Sequence, residues 1–201
     1  MRICLLAALC GLLGSVAQAQ EGTSGFFAGV SVGSFRFSER DQATGAKIAD
    51  TTSVHRLLGG YRLGENTSIE ASWAKTGDIE ASVDIDDPVL GPARLVTRAD
   101  FEVLTLRVVG TRPLERVTLF GGFGVYEGDL DETGRFEDDF GITTYTYHEG
   151  DRGLTLIGGV QFELRPRVSL RAEYEWFDGD SMGSGASATL WNAGLSLLFK
   201  F

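Results

Sequence analysis

Residues 153–177, GLTLIGGVQFELRPRVSLRAEYEWF, decide the fold. Two runs with a two-residue period, 153–164 and 168–177, flank Arg165-Pro166-Arg167, where proline favours a tight turn. Apolar and polar side chains alternate in both runs, which predicts a hairpin with one apolar and one polar face. The apolar face carries Leu156, Val160, Phe162, Leu164, Leu170, Ala172, Tyr174 and Trp176, and the polar face carries Thr155, Gly159, Gln161, Glu163, Ser169, Arg171, Glu173 and Glu175.

Strand-like runs of this kind recur along the chain and are bounded by Gly, Asp, Asn and Pro. We predict eight strands, with ends good to about three residues, at 26–37, 52–63, 67–76, 99–112, 116–127, 153–164, 168–177 and 188–201. The third and fourth runs alternate as clearly as the quoted hairpin. The fifth run does not assign to either phase. After the N-terminal segment, no window of 18 apolar residues predicts a transmembrane helix.

The connections between these runs alternate in length. Three are tight turns, at 64–66, 113–115 and 165–167, and four are longer and polar, at 38–51, 77–98, 128–152 and 178–187. In an up-and-down meander every second connection lies at the same end, so all the long loops share one end. An apolar outer face with long loops at one end is typical of an all-β, eight-stranded antiparallel transmembrane β-barrel. A soluble β-sandwich or lipocalin is the alternative, and the regular alternation of loop lengths disfavours it.

Residues 1–19, MRICLLAALCGLLGSVAQA, have the pattern of a secretory signal peptide. Arg2 precedes an apolar run, and Ala17-Gln18-Ala19 is a small-x-small cleavage site. We therefore predict a cleaved leader at 1–19 and a barrel domain at 20–201. Both cysteines of the chain, Cys4 and Cys10, lie in the leader, so the mature domain would have neither a disulfide nor a cysteine-bound metal.

The charge balance excludes one class of partner. The chain has 18 basic and 28 acidic residues, and loss of Arg2 with the leader leaves 17 and 28, a net charge of −11. A strongly negative domain is poorly suited to a phosphate backbone, so we expect no nucleic-acid partner. No motif indicates a cofactor.

Residues 158–176 resemble the transmembrane domain of the OmpA family of outer-membrane proteins, with a Gly-Gly strand, a proline turn and a strand with inward Arg and Glu. Phe26–Val30 and Leu104–Arg107 resemble that family's first and fourth strands, and Leu58–Arg62 followed by Ile69–Ala71 resembles its second hairpin, so the likeness spans the mature chain. The resemblance implies a monomeric barrel of the Gram-negative outer membrane, in contact with its lipids and lipopolysaccharide. The family's peptidoglycan-binding domain does not follow the eighth strand, as in the small free-standing barrels of the OmpX/Ail and Opacity groups.

Alternating residues at the end of the last strand resemble the signal that the barrel assembly machinery recognises. These are Leu197, Phe199 and Phe201. The resemblance therefore implies that this machinery is a partner during biogenesis.

The polar face of the strands predicts a charged lumen, because eight strands leave just enough room for side chains to fill the interior. The predicted lumen network is Arg56, Arg62, Glu70, Arg107, Gln161, Glu163, Arg171 and Glu173, with Glu175 on the same face. The family resemblance places Glu70, Arg107, Arg171 and Glu173 inward, and Gln161 where an acid is usual. Two interpretations stay open: a plug of paired charges, and a gate that makes the barrel a small porin or ion channel.

The long loops carry most of the acidic residues and suggest a surface role. Solvation is the simpler interpretation, and a host or surface ligand or a divalent cation is the alternative. The weak candidates for cation binding, which lack EF-hand spacing, are Asp84, Asp86, Asp87, Asp129 and Asp131. A lipid A hydrolase would need a Ser–His–acid site. We expect no enzyme, because His55 and His148 lie on different strands and only Ser53 is near either. The leading prediction is a structural outer-membrane barrel with acidic, surface-interactive loops.

Overall fold

A computed structural model describes residues 25–40, 47–87, 91–138, 141–179 and 187–201. Within these ranges the backbone forms nine antiparallel strands. They are β1 (Gly25–Arg40), β2 (Lys47–Arg62), β3 (Thr67–Thr76), β4 (Ile79–Asp87), β5 (Gly91–Pro113), β6 (Thr118–Asp138), β7 (Gly141–Arg165), β8 (Val168–Gly179) and β9 (Ser187–Lys200). The predicted leader lies outside the described residues.

Eight of these strands close into a barrel. Each strand of the wall pairs with its neighbour in sequence, β1 pairs with β9, and β3 pairs with β5. The ninth strand, β4, follows β3 after Gly77 and Asp78 and pairs with the outer part of β5. The predicted eight-stranded up-and-down barrel is therefore confirmed, with its third wall strand continued by β4.

The barrel has two dissimilar ends. Three short connections lie at one end, which we call the turn end, beside Gly25 and Phe201. Leu63 N donates to Thr67 O over 2.9 Å in the first of them, and Leu114 N donates to Val117 O over 2.7 Å in the second. The opposite end, which we call the hairpin end, carries the four connections predicted as long loops. The three predicted tight turns therefore lie together at one end, as an up-and-down meander requires.

The prediction that 77–98 and 128–152 are loops is wrong. The hairpin of β4 and β5 pairs from Ile79 with Ala99 to Asp87 with Gly91, and that of β6 and β7 extends to Asp138 with Gly141. These strands continue beyond the barrel, and residues 142–147 of β7 are exposed on both faces. Those residues lack the period of a half-buried strand, whereas residues 79–86 of β4 do alternate apolar and polar side chains, a strand signal that the loop prediction passed over. The predicted loops at 38–51 and 178–187 are also shortened, by β1, β2, β8 and β9.

The outward face of the barrel is an apolar belt. Exposed side chains include Val30, Leu57, Trp73, Leu106 and Phe123, and on β7 the outward positions run from Leu154 to Leu164. Eleven residues at about 3.4 Å each, tilted by about 40°, span about 26 Å, close to the apolar band of a membrane barrel. The facing predicted for the third, fourth, sixth and seventh runs is confirmed. The described ranges contain no helix with the length and apolar character to cross a membrane.

The strand that sequence left unassigned, β6, points Phe120 and Tyr126 inward and Leu119, Phe123 and Val125 outward. Its inward positions 122, 124 and 128 are glycines. Neither the inward nor the outward positions along this part of β6 carry a charged residue, which explains why no polar face was detectable.

Candidate functional site

Six charged side chains from four strands meet inside the barrel and alternate in sign around a closed ring. β2 contributes Arg56, β3 Glu70 and β5 Arg107, and the other three come from β8. The members, which we call the ion ring, are in order Arg56, Glu175, Arg107, Glu70, Arg171 and Glu173. Three guanidinium groups face three carboxylates, so the ion ring is neutral as a unit.

The contacts of the ion ring differ in closeness. Glu70 accepts two hydrogen bonds from Arg171, at 2.8 and 2.9 Å, in a bidentate pair. Arg107 Nε lies 3.4 Å from Glu70 Oε2, and Arg171 Nη1 lies 4.0 Å from Glu173 Oε2. The contact between Arg171 and Glu173 is therefore the weakest link of the ring.

Hydroxyl and amide groups of the lumen hold the carboxylates in place. Thr155 Oγ1 donates to Glu175 over 3.0 Å, and Asn192 Nδ2 donates to the same carboxylate over 3.3 Å. Ser196 Oγ donates to Glu173 and Ser68 Oγ to Glu70, both over 3.3 Å or less. All ring carboxylates are at most 5% exposed. Such burial is tolerable for charges only when they are paired and hydrogen-bonded.

A few polar atoms beside the ion ring have no hydrogen-bond partner among the described residues. They are Arg107 Nε and Nη2, Arg171 Nε, Glu173 Oε2 and Ser169 Oγ. Buried polar atoms of this kind are usually satisfied by ordered water.

An apolar layer lies directly above the ion ring, toward the hairpin end. Its members, which we call the apolar plug, are Phe35, Val54, Ala74, Phe101, Val103, Tyr126, Phe177 and Leu190. Phe35 lies 5.6 Å from Phe101 and 6.4 Å from Phe177, measured between ring centroids. On each strand that carries a ring residue, a plug residue lies two to six positions nearer the hairpin end. The lumen is therefore divided into stacked polar and apolar layers.

Glycines on neighbouring strands make space for the inward aromatic rings. A Cβ on Gly128 would lie 2.5 Å from Phe101 Cζ, and one on Gly159 would lie 2.7 Å from Phe120 Cζ. Phe120 in turn lies under the Arg171 guanidinium, at 4.3 Å, in a cation–π contact. The plug was not predicted from sequence. Its signal was an aromatic residue, Phe101, in the phase of the fourth run that was assigned to the lumen.

Tyr126 links the apolar plug to the hairpin end. Its hydroxyl lies 2.6 Å from both Asp151 Oδ2 and the Asp178 backbone oxygen, and its ring stacks edge-on against Phe177 at 5.2 Å. The plug is thereby tied to β6, β7 and β8 at once.

The other predicted lumen residues lie at the turn end. Gln161 is buried opposite Arg171, and with Arg62 it lines a cavity of about 190 Å³ that opens at this end. The prediction that Glu163 belongs to the buried network is wrong, because its side chain is 60% exposed and pairs with Lys200. Glu163 lies beside the register shift at the end of β7, beyond the depth of the ion ring. Leu197, Phe199 and Phe201 lie on the outward phase of β9, and Phe201 is 81% exposed.

Four strands continue past the barrel at the hairpin end and form what we call the projecting sheet. It consists of β4 with residues 91–100 of β5, 128–138 of β6 and 141–150 of β7. Surface ion pairs join its strands, as between Arg98 and Asp78. The hydrogen bond from Arg98 holds the pKa of Asp78 below its usual value, while burial and Glu132 raise the pKa of Tyr145.

The cation candidates fall in this sheet. Asp84, Asp86 and Asp87 belong to β4, and their side chains lie outside the described residues. His148 Nδ1 lies 2.5 Å from Asp131 and its Nε2 lies 3.9 Å from Asp129. Among the described side chains, no three His, Cys, Asp or Glu residues group around a possible metal position. Asp129 and Asp131 are thus neighbours of a histidine.

The histidines are far apart, as the sequence suggested. His55 is exposed on β2, opposite Lys75 of β3, whereas His148 lies on the projecting sheet. Ser53 is exposed on the same phase of β2 as His55. The described contacts of His148 are with acids and include no serine.

Residues 5–199 match the family described as the outer membrane protein beta-barrel domain. The chain belongs to this family. The outer membrane protein beta-barrel domain lies in the cell outer membrane, as predicted, and the turn end of such barrels is periplasmic while the hairpin end is extracellular. A comparison with curated protein sequences finds no match.

Solved outer-membrane barrels share this fold at low sequence identity. Neisserial surface protein A is 14% identical with a TM-score of 0.58, covering 90% of this chain and 100% of that one. OprG from Pseudomonas aeruginosa is 16% identical with a TM-score of 0.55, covering 92% and 99%. Ail of Yersinia pestis, solved with the heparin analogue sucrose octasulfate, is 19% identical with a TM-score of 0.51, covering 87% and 99%. The likeness supports the barrel fold alone.

Proposed function

We propose that this protein is a sealed, structural outer-membrane barrel that displays a stiff acidic sheet for contacts at the cell surface. The observation that carries the proposal is the stacking of the ion ring and the apolar plug across the lumen. In this function the barrel wall is the anchor and the projecting sheet is the interacting part.

The apolar plug supports the sealed state. Phe35, Phe101 and Phe177 are each 2% exposed, and the Phe35 ring packs against both of the others inside the lumen. An ion that crossed this layer would lose its hydration without gaining polar partners, which is costly. Apolar constrictions of this kind close channels by excluding water. A porin or gated channel would need both this layer and the ion ring to open.

The projecting sheet supports the surface role. The sheet is held together by continuous hydrogen-bonded ladders. Two of its strands, β5 and β6, continue from the barrel wall without a break. The sheet therefore stands on the wall as a rigid extension rather than as separate loops. The apolar belt would contact outer-membrane lipid, and the charged side chains above it would lie among lipopolysaccharide head groups and their divalent cations. Biogenesis by the barrel assembly machinery is part of the same proposal.

Single-channel recording in a planar bilayer tests the sealed state. The mature protein is refolded, and its folding is verified by the mobility difference between boiled and unboiled samples. We expect no discrete openings, and none in Glu173→Gln, because the apolar plug closes the lumen independently of the weakest ring contact. Reproducible openings in the wild type that change in Glu173→Gln would overturn the proposal in favour of a charge-gated pore.

A further inference from the structure

One edge of the projecting sheet has no neighbour. β7 begins at Gly141, but β8 pairs with it only from Thr155 onward. Within the described strands, residues 142–147 therefore pair with β6 on one side alone. Every side chain from 142 to 147 is exposed, including Ile142 at 62% and Tyr147 at 49%. We call residues 142–147 the β7 edge.

The composition of the β7 edge is unusual for an exposed strand. Its sequence, ITTYTY, contains only β-branched and aromatic residues and has no charge, proline or glycine. Exposed edges in natural proteins are normally protected by lysine, proline or a bulge, because their free N–H and C=O groups pair readily with another strand. Six-residue segments of high β-propensity and low charge are those that pair most readily. The β7 edge lacks these protections although the surrounding sheet is rich in acid.

We propose that the β7 edge pairs with the β7 edge of a second copy of this chain. The segment can pair with itself in an antiparallel ladder centred on Tyr145, because a two-fold axis perpendicular to the sheet passes through a residue pair. Tyr145 then lies opposite Tyr145 of the other copy, Thr144 opposite Thr146, and Thr143 opposite Tyr147. Aromatic–β-branched and Thr–Thr pairs of this kind stabilise antiparallel sheets. No pair sets two charges of the same sign against each other, which matters for a chain with a net charge of −11 after loss of its leader. The inference deepens the proposed surface role and rests on it.

The geometry of the ladder determines which copies can pair. The two-fold axis of an antiparallel pair of edge strands is perpendicular to the sheet and reverses the strand direction. β7 runs from the hairpin end to the turn end, so its paired copy runs the opposite way. The two barrels then lie in facing membranes. The contact joins membranes in trans and leaves each barrel monomeric within its own membrane.

Lipid nanodiscs that each carry one refolded barrel provide the test, because the hairpin end is accessible in them whatever the orientation. Disc mass is measured by analytical ultracentrifugation across a concentration series. We expect wild-type discs to form pairs. In T144K/T146K, lysines face each other at two cross-strand positions, and we expect pairing at least tenfold weaker. T144E/T146E should fail in the same way.

Mixing the two variants separates strand pairing from a general charge effect. Lysine at 144 would face glutamate at 146 of the other copy, so the mixture should pair while each variant alone does not. Unpaired wild-type discs, or T144K/T146K discs that pair as the wild type does, would overturn the inference. Those results would leave a silent bilayer recording unaffected, so failure of self-pairing is distinguishable from failure of the sealed-barrel proposal.

Discussion

Inside the barrel, Arg107 Nη1 on β5 donates to Glu175 Oε1 on β8 over 2.7 Å. Arg107 also lies 3.4 Å from Glu70, so it joins two carboxylates that belong to different strands. In Arg107→Met the ion ring keeps three carboxylates and only two guanidinium groups. A buried charge without its partner costs about 3–5 kcal/mol. We expect the free energy of unfolding in urea, measured in lipid vesicles, to fall by that amount.

Arg152→Met is the matched control for Arg107→Met. Arg152 also donates to a carboxylate at 2.7 Å, that of Glu127, but its side chain is 68% exposed. Exposed pairs contribute at most about 1 kcal/mol. Similar losses in the two variants would show that burial of the ion ring has no special cost.

The apolar plug predicts a steric effect at Gly128. A Cβ there would lie 2.5 Å from the end of the Phe101 ring, which is itself held by Phe35. We expect Gly128→Ala to lower the free energy of unfolding by about 1–3 kcal/mol, as overpacked interiors do. In the double variant G128A/F101L, the smaller side chain at position 101 should restore part of the lost free energy of unfolding. Gly121→Ala, whose nearest atom lies at 3.8 Å, should be nearly neutral, and an equal loss there would refute the steric explanation.

The barrel was predictable from sequence because its wall strands separate two different environments, the lipid outside and the polar lumen inside. Alternation was enough to place four charged residues in the lumen, because each lies on the polar face of its strand and the other face is apolar. These residues are Glu70, Arg107, Arg171 and Glu173. Their partners were not predictable. Arg56 and Glu173 are 117 residues apart, and their contact depends on the stagger of strands around the closed ring.

Two features were not predicted from sequence. The apolar plug was missed because Phe101 is an apolar residue on the face expected to be polar, and because Phe35 lies on a strand to which no facing was assigned. In the projecting sheet, residues 142–147 have solvent on both faces and no period distinguishes them from a loop, but the alternation at 79–86 was a usable strand signal. Binary patterning detects strands with two different environments, and neither the plug nor residues 142–147 have them.

The apolar belt predicts a depth-dependent cost of charge. Val160 lies between Leu154 and Leu164 on the outward phase of β7, within about one residue of the midpoint and so close to the expected membrane midplane. We expect Val160→Arg to lower the free energy of unfolding in lipid by about 2–4 kcal/mol. Ile142→Arg, on the same strand but above the belt, should change it by less than about 1 kcal/mol. A larger cost at Ile142 would contradict the assigned position of the belt.

The pair of Asp78 and Arg98 gives the projecting sheet a dependence on acid. The hydrogen bond from Arg98 holds the pKa of Asp78 below the usual value of an aspartate. A carboxyl whose pKa is lower in the folded state contributes stability above its unfolded pKa, and that stability is lost as the pH falls through the folded pKa. The link between the start of β4 and β5 should therefore persist at neutral pH and weaken only below about pH 4.

Carbon-13 NMR titration of the Asp78 carboxyl measures this pKa directly. In the wild type we expect a value below that of an unperturbed aspartate, about 3.9. In Arg98→Met the value should rise toward it, because the hydrogen bond and the positive charge are both lost. Lys75→Met is the control, since Lys75 acts on Asp78 only as the last and smallest influence. A pKa of Asp78 that moved as much in Lys75→Met as in Arg98→Met would assign the effect to the general charge of the sheet rather than to the hydrogen bond.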